Sequence, residues 1–267
     1  MRSYDPCGLD VGERVAWWGS VRVGLAMAPV ASVELVALDA SWQWPSSPDE
    51  LIAVQRVLVD LEVEPWQPPD DITTTRVGGC FVCFERGSTG PGHAGDRGWA
   101  AAAILRGHQT LETVTVSGIA PAPYMSGLLA LREGRLQAMA IEALRSPPDV
   151  CLIDATGRDH PRHAGLALHL GAALGLPTVG VTNRTLVAAG GSPGAQRFAR
   201  SPLLLDGTLV GWWVRTRPGA HPVAVHAGWR TDPETACQVV VATVRDHRTP
   251  EPLRVARRAA RLARAGA

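Results

Sequence analysis

The sequence predicts an α/β fold, a mixed sheet flanked by helices. Three observations predict it. Three consecutive apolar runs, 77–84, 99–105 and 110–117, are separated by turn-forming residues and read as hairpin-like antiparallel strands. A run with no polar residue, 150–153, ends in a single acid, Asp154. A glycine-containing turn, a small-residue helix and a second apolar run at 177–181 follow, which is a βαβ unit. Two helical patterns then close the chain.

Residues 1–41 have no clear amphipathic period and read as an N-terminal extension, with Met27 as an alternative start. Residues 42–267 read as the folded domain. Ser47 can N-cap the first helix, Pro48 suits its first turn, and Asp49 and Glu50 suit its dipole. Leu51, Val54, Val57, Leu58 and Leu61 give the helical period. Residues 64–75 form a loop rich in Pro and Asp, and 86–98 a glycine-rich turn. The second and third strands are joined by 106–109. A loop at 118–126 leads to a helix at 127–145, and the strand at 150–153 leads to a helix at 162–174. The runs 203–205 and 209–215 make a hairpin around Asp206-Gly207, and 223–225 is a last short strand. Thr231 and Glu234 form a capping box with Pro233 in the first turn, opening a helix to about Arg245. Pro250 opens a final Arg-rich amphipathic helix. Antiparallel strands, then βαβ units, then terminal helices is the order of a ribonuclease H-like fold.

The chain has 267 residues, is 46% hydrophobic and has a net charge of +1, so no global basic field draws in nucleic acid and any such site is local. All 26 basic residues are arginine, so no lysine serves as a phosphate-binding point charge. Five cysteines without framework spacing suggest a reducing compartment. Cys80 and Cys83 have CxxC spacing, but on a strand they face opposite sides and do not form a metal half-site. No stretch has the length of a membrane span; the apolar run at 23–33 is short. The expected setting is cytoplasmic, without membrane association, and the expected state is a monomer.

Four blocks carry a family resemblance: DELIAVQRVL at 49–58, PYMSGLLALREG at 123–134, DATGRDHPRHAGLALHLG at 154–171 and GWRTDPETA at 228–236. In this order and spacing, from Trp44 to the C-terminus, the chain resembles the endonuclease V family (deoxyinosine 3′ endonucleases). The resemblance implies a ribonuclease H-like fold and recognition of hypoxanthine in DNA or RNA. It also implies phosphodiester hydrolysis with Mg²⁺, or Mn²⁺, held by carboxylates. Carried over by position, Asp154 and Glu133 match metal-binding acids, and His160 matches the histidine after the glycine turn. These three are the candidate catalytic residues. Tyr124 matches a strand-wedging tyrosine, with Met125 as an apolar tip; Gly127 and Gly157 complete the candidate nucleic-acid contacts. Asp154 and Glu133 are expected to converge on one cleft with Tyr124 on its rim.

Three positions depart from the family. Phe81 stands where the first metal aspartate is expected, and a phenyl ring cannot ligate a metal. The nearest acid on that face, Glu85, is about 13 Å along the strand. Asp39 precedes the first helix, on the wrong side in chain order. Asn183, beside Arg184, replaces a lysine, and Trp229 replaces a late histidine, with His226 and Asp232 as nearby surrogates. Two readings follow. In one, Mg²⁺-dependent cleavage of inosine-containing strands survives but is weakened by the lost aspartate. In the other, the protein is a catalytically inactive binder of nucleic acid or of a partner. Phe81→Asp is expected to raise metal binding.

Ordinary structural roles compete with several of these assignments. Glu133 beside Arg132 also reads as a surface ion pair. His160 and His163 also read as loop histidines, and His169 as structural. Trp212 and Trp213 read as strand packing. Arg254, Arg257, Arg258 and Arg261 share one side of the last helix and read as a solvated face, with phosphate contact as the alternative.

Overall fold

A computed structural model describes residues 43–87 and 90–267. The expected extension at 1–41, with Met27 and Asp39, lies outside the described residues.

Strands β1 (Arg76–Phe84), β2 (Arg97–Arg106) and β3 (Gln109–Ile119) form the antiparallel meander expected from their alternation and turns. Strands β4 (Val150–Ile153) and β5 (Thr178–Thr182) continue the sheet parallel to β1. Strands β6 (Arg200–Leu205), β7 (Thr208–Val214) and β8 (Val223–Ala227) complete it in the order β3-β2-β1-β4-β5-β8-β7-β6. This is a mixed eight-stranded sheet. Helices α2 (Arg135–Glu142) and α3 (Leu166–Leu174) pack on one face against Cys80, Val82, Cys151 and Ile153. Helix α1 (Pro48–Asp60) lies outside α3, through Leu58 on Leu168 and Ala172. Helices α4 (Pro233–Thr243) and α5 (Glu251–Ala265) cover the opposite face against Val77, Val150, Leu152 and Cys83. Cys80 and Cys83 thus lie on opposite faces, both buried and free. Among the described residues no helix is long and apolar enough to cross a membrane.

Three local expectations are corrected. The helix expected over 127–145 begins as a π-helical turn, Ala130–Gly134, before α2. Gly127, at φ +75, turns the chain away from a helical path. The helix expected from 162 begins at Leu166, because the preceding backbone is committed elsewhere. The Arg162 N–H donates to His160 Nδ1, and the Gly165 N–H donates to the Gly157 carbonyl. Helix α4 is capped by Asp232, which accepts the Glu234 and Thr235 N–H groups, and not by Thr231. The Thr231 hydroxyl is buried, donating to the Thr178 carbonyl and accepting the Gly228 N–H.

Two features place the site. Cys80 pairs with Ile153 in the parallel β1–β4 register, so one step on Phe81 is level with Asp154. At Gly79 a Cβ would collide with the Pro252 backbone. This missing side chain lets the start of α5 lie directly on β1, and the helix then runs over the Phe81 face.

Candidate functional site

A cavity of about 150 Å³ opens where the carboxyl ends of β4 and β5 meet the 123–129 loop. Tyr124, Gln55, Asp154, Thr156, His160 and Thr182 are among its walls. It is well below the ~300–1,000 Å³ of a drug-sized site, a scale suited to one planar ring system. Its place, outside the carboxyl ends of parallel strands, is where α/β sheets bind ligands.

The Gly127 carbonyl is the pin of the loop. Gln55 Nε2 (3.1 Å), His160 Nε2 (3.0 Å) and Arg162 Nη2 (2.9 Å) all donate to it. Arg162 Nε also donates to Gln55 Oε1 at 2.6 Å, which locks the three donors together. Since His160 Nδ1 accepts the Arg162 N–H, the ring proton sits on Nε2. Burial lowers the His160 pKa to about 4, so the ring is neutral near pH 7. The expected catalytic histidine therefore has both ring nitrogens engaged in holding the loop. Tyr124 is 47% exposed at the cavity mouth, anchored by its N–H on the Pro91 carbonyl. Met125, expected as an apolar tip, is half-buried against the core. Gly157, expected as a nucleic-acid contact, is buried, and a Cβ there would collide with the Ala227 carbonyl oxygen. Its place is a close backbone approach to β8, and neighbouring Thr156 reaches the cavity instead.

The acids tell a different story from the sequence. Arg132 is buried; it pairs with Asp96 at 2.7 Å, donates to the His93 and Ala122 carbonyls and lies over Phe84. It is therefore not a surface partner of Glu133. Glu133, in the π-helical turn, accepts from Gln137 Nε2. Burial raises its pKa to about 8, and the nearby Asp154 charge adds to the rise. The two acids are thus within electrostatic reach of each other. Asp154 is salt-bridged to Arg257, Oδ2 to Nη2 at 2.8 Å. The Arg257 guanidinium lies 5.0 Å from the centre of the Phe81 ring. The expected solvated face of α5 therefore turns Arg257 into the site.

This donor set does not fit the divalent ion that the family resemblance implies. Asp154 is engaged by a guanidinium, and Phe81 supplies no ligand. Among the described residues no group of three His, Cys, Asp or Glu side chains could hold a metal. Hard dications need several charged or carbonyl oxygens converging at short range.

The other two departed positions lie apart. Trp229 is 6% exposed and packs with Leu58, Ala164 and Leu168 beneath α1, so it fills core volume. Asn183 is exposed, and its Oδ1 accepts from Arg248 Nη1 at 2.5 Å. Of the surrogates, Asp232 caps α4. His226 is buried between Asp159, 3.7 Å away, and the Thr182 hydroxyl at 2.8 Å. Asp159 accepts the N–H groups of Leu186, Val187 and Ala188, fixing another wall of the cavity. Gln55, Arg162 and Asp159 were not readable as site residues, and Arg257 was readable only as one of four arginines for which phosphate contact was the alternative. The period of α1 predicts its apolar face and gives Gln55 no signal; Arg162 and Asp159 hold the site through long-range contacts.

A sequence model described as endonuclease V matches residues 65–258. An endonuclease V of Streptomyces avermitilis is 38% identical over 221 residues, covering 79% of this chain and 90% of that one. The crystal structure of an endonuclease V from that organism is 36% identical, with a TM-score of 0.73, over 84% of this chain and 96% of the other. A Ciona intestinalis endonuclease V in complex with a 24mer DNA containing an inosine followed by a ribo-adenosine superposes with a TM-score of 0.67. It is 21% identical, over 82% of this chain and 98% of that one. These likenesses carry the ribonuclease H-like fold to this chain.

Proposed function

Because the chain belongs to the endonuclease V family, we propose that it recognises inosine-containing nucleic acid with the Tyr124 loop and the adjoining cavity, and that its metal-dependent phosphodiester cleavage is weak. The family's solved relatives include one bound to inosine-containing DNA, which supports the recognition half. Tyr124 offers an exposed aromatic face at the mouth of a cavity sized for one ring system, the arrangement that stacks beside a displaced base. The triple hydrogen bond on Gly127 fixes that loop before any strand arrives, so little ordering is left to binding.

The weak-cleavage half rests on a single observation. Phe81 is level with Asp154 in the β1–β4 register, and the Asp154 carboxylate is salt-bridged to Arg257. When bound in such a site, a divalent ion would activate water and stabilise the phosphoryl oxygens. This chain's residues bind and orient a strand and exclude water from the cavity walls. The same observation favours a second reading, in which cleavage is absent and the protein is a binder. Purified protein incubated with single-inosine and adenine-control oligonucleotides, with Mg²⁺, Mn²⁺ or EDTA, tests both readings. The recognition reading expects a preference for inosine strands; equal affinity for the two strands contradicts it.

A further inference from the structure

We propose that Arg257, with Arg261 and Arg248 beside it, forms an anion site for a backbone phosphodiester, so that this protein holds nucleic acid here with guanidinium groups in place of a divalent ion. The proposal rests on the nucleic-acid reading above and names the chemistry of its affinity.

Two arginines of α5 gather at this end of β1. Arg257 lies 5.0 Å and Arg261 5.8 Å from the centre of the same Phe81 ring, and Arg257 pairs with Asp154. Stacking on a ring fixes a guanidinium plane while leaving its edge free to donate. Arg257 spends Nη2 on Asp154, but its Nε–H is buried without a hydrogen-bond partner among the described residues. The side chain is still 25% exposed, so a phosphate oxygen, the acceptor a guanidinium fork fits best, can reach its outer edge.

Arg248 extends the charge. The His221 and Pro222 carbonyls and Asn183 Oδ1 hold it in place. It is close enough to Arg257 to feel that charge, which adds to burial in lowering its pKa. It also lines a groove of about 540 Å³ with Arg184, Trp213 and His221. The groove therefore pairs two arginines with an aromatic wall, the combination that tracks a phosphate backbone, within electrostatic reach of Arg257. Clustered guanidiniums repel one another and a dication alike, and an anion relieves that repulsion.

The test is fluorescence anisotropy of labelled oligonucleotides, with one inosine or with adenine at that site, binding the full chain in EDTA and in Mg²⁺ across a salt titration. Wild-type affinity is expected to change by less than about twofold between EDTA and Mg²⁺. Arg257→Gln is expected to weaken binding about tenfold or more and to make the log–log salt slope shallower by about 0.7–0.9. Asp154→Asn, which frees Arg257 from its competing acid, should tighten binding, the opposite of what a metal-ligand role gives. If Arg257→Gln does not fold, Arg261→Gln at the exposed helix surface should still lower the slope. Loss of wild-type binding in EDTA would overturn the proposal, as would unchanged salt slopes in the folded variants. Inorganic phosphate competing as well as an oligonucleotide, at equal phosphate concentration, would assign the site to free phosphate and also overturn it. Equal, EDTA-resistant and Arg257-dependent binding of both strands would sink the inosine reading and leave the anion site standing. An inosine preference that vanishes in EDTA would do the reverse.

Discussion

At Gly127 a carbonyl with two lone pairs receives three donors, and the Tyr124 loop is held through it. Removing Arg162 takes away one of those bonds and the clamp on Gln55. Arg162→Ala is expected to cost about 1–3 kcal/mol of stability and to reduce discrimination between inosine and adenine strands. Thermal melting and binding titrations check this; unchanged discrimination would show that the loop is held elsewhere. Buried histidines make a second prediction. Burial holds His160 at about 4 and His169, tilted against the Trp44 ring, at about 3. Their ordinary value is about 6.5, so in acid the unfolded chain takes up protons before the folded one. These histidines leave stability flat above about pH 7, and it falls as the pH drops through 6.5 towards 4. The fall is about 1.4 kcal/mol per histidine per pH unit once below the unfolded value. His169→Leu should flatten the acid limb of a melting-temperature profile, and an unaltered limb would contradict the assignment. Residue types were legible at this scale and their partners were not. The DHPRH string marks His160 as a site histidine, but only the fold shows its ring turned onto Gly127.

Among the elements, α5 changes the site most. Its four arginines at helical spacing look alike in the sequence, and which one turns inward depends on how the helix crosses β1. That crossing is set by the missing side chain at Gly79, two residues before Phe81 on the same strand face. Strands β1 to β5 were legible because each is a short apolar run bounded by turn residues. The π-helical turn at Ala130–Gly134 was not, because the side-chain period does not separate it from the helix that follows. The Arg257 pairing also revises the expectation for Phe81→Asp. A lone aspartate at 81 would pair with Arg257 or Arg261, so Mn²⁺ affinity should stay close to wild type. Adding Arg257→Gln places two level carboxylates without that guanidinium, and there Mn²⁺ binding should rise by about tenfold or more. Electron paramagnetic titration of free Mn²⁺ reads both; strong binding by the single variant would contradict the pairing. A further check concerns α4. Asp232→Ala should lower stability by about 0.5–2 kcal/mol, measured by denaturant midpoint. An unchanged midpoint would show that the cap contributes nothing.

Across the whole molecule, the sheet and its two helical layers are those of the endonuclease V family, and Phe81, Asn183 and Trp229 are accommodated within that fold. Trp229 fills core volume, Asn183 orients Arg248, and Phe81 carries a guanidinium. The order of strands and helices made the fold class legible from end to end of the domain. The site was legible only in part, because Phe81 is visible in a sequence and the ion pair that Arg257 brings to Asp154 from a helix about a hundred residues away is not. The most direct test is a side-by-side cleavage assay against the Streptomyces avermitilis relative, on one inosine-containing oligonucleotide with saturating Mg²⁺ or Mn²⁺. This chain is expected to retain the strand while nicking it at least about a hundredfold more slowly, the scale of losing several kcal/mol of metal-based stabilisation. Nicking at a rate comparable to the relative, abolished by Asp154→Ala, would contradict the account.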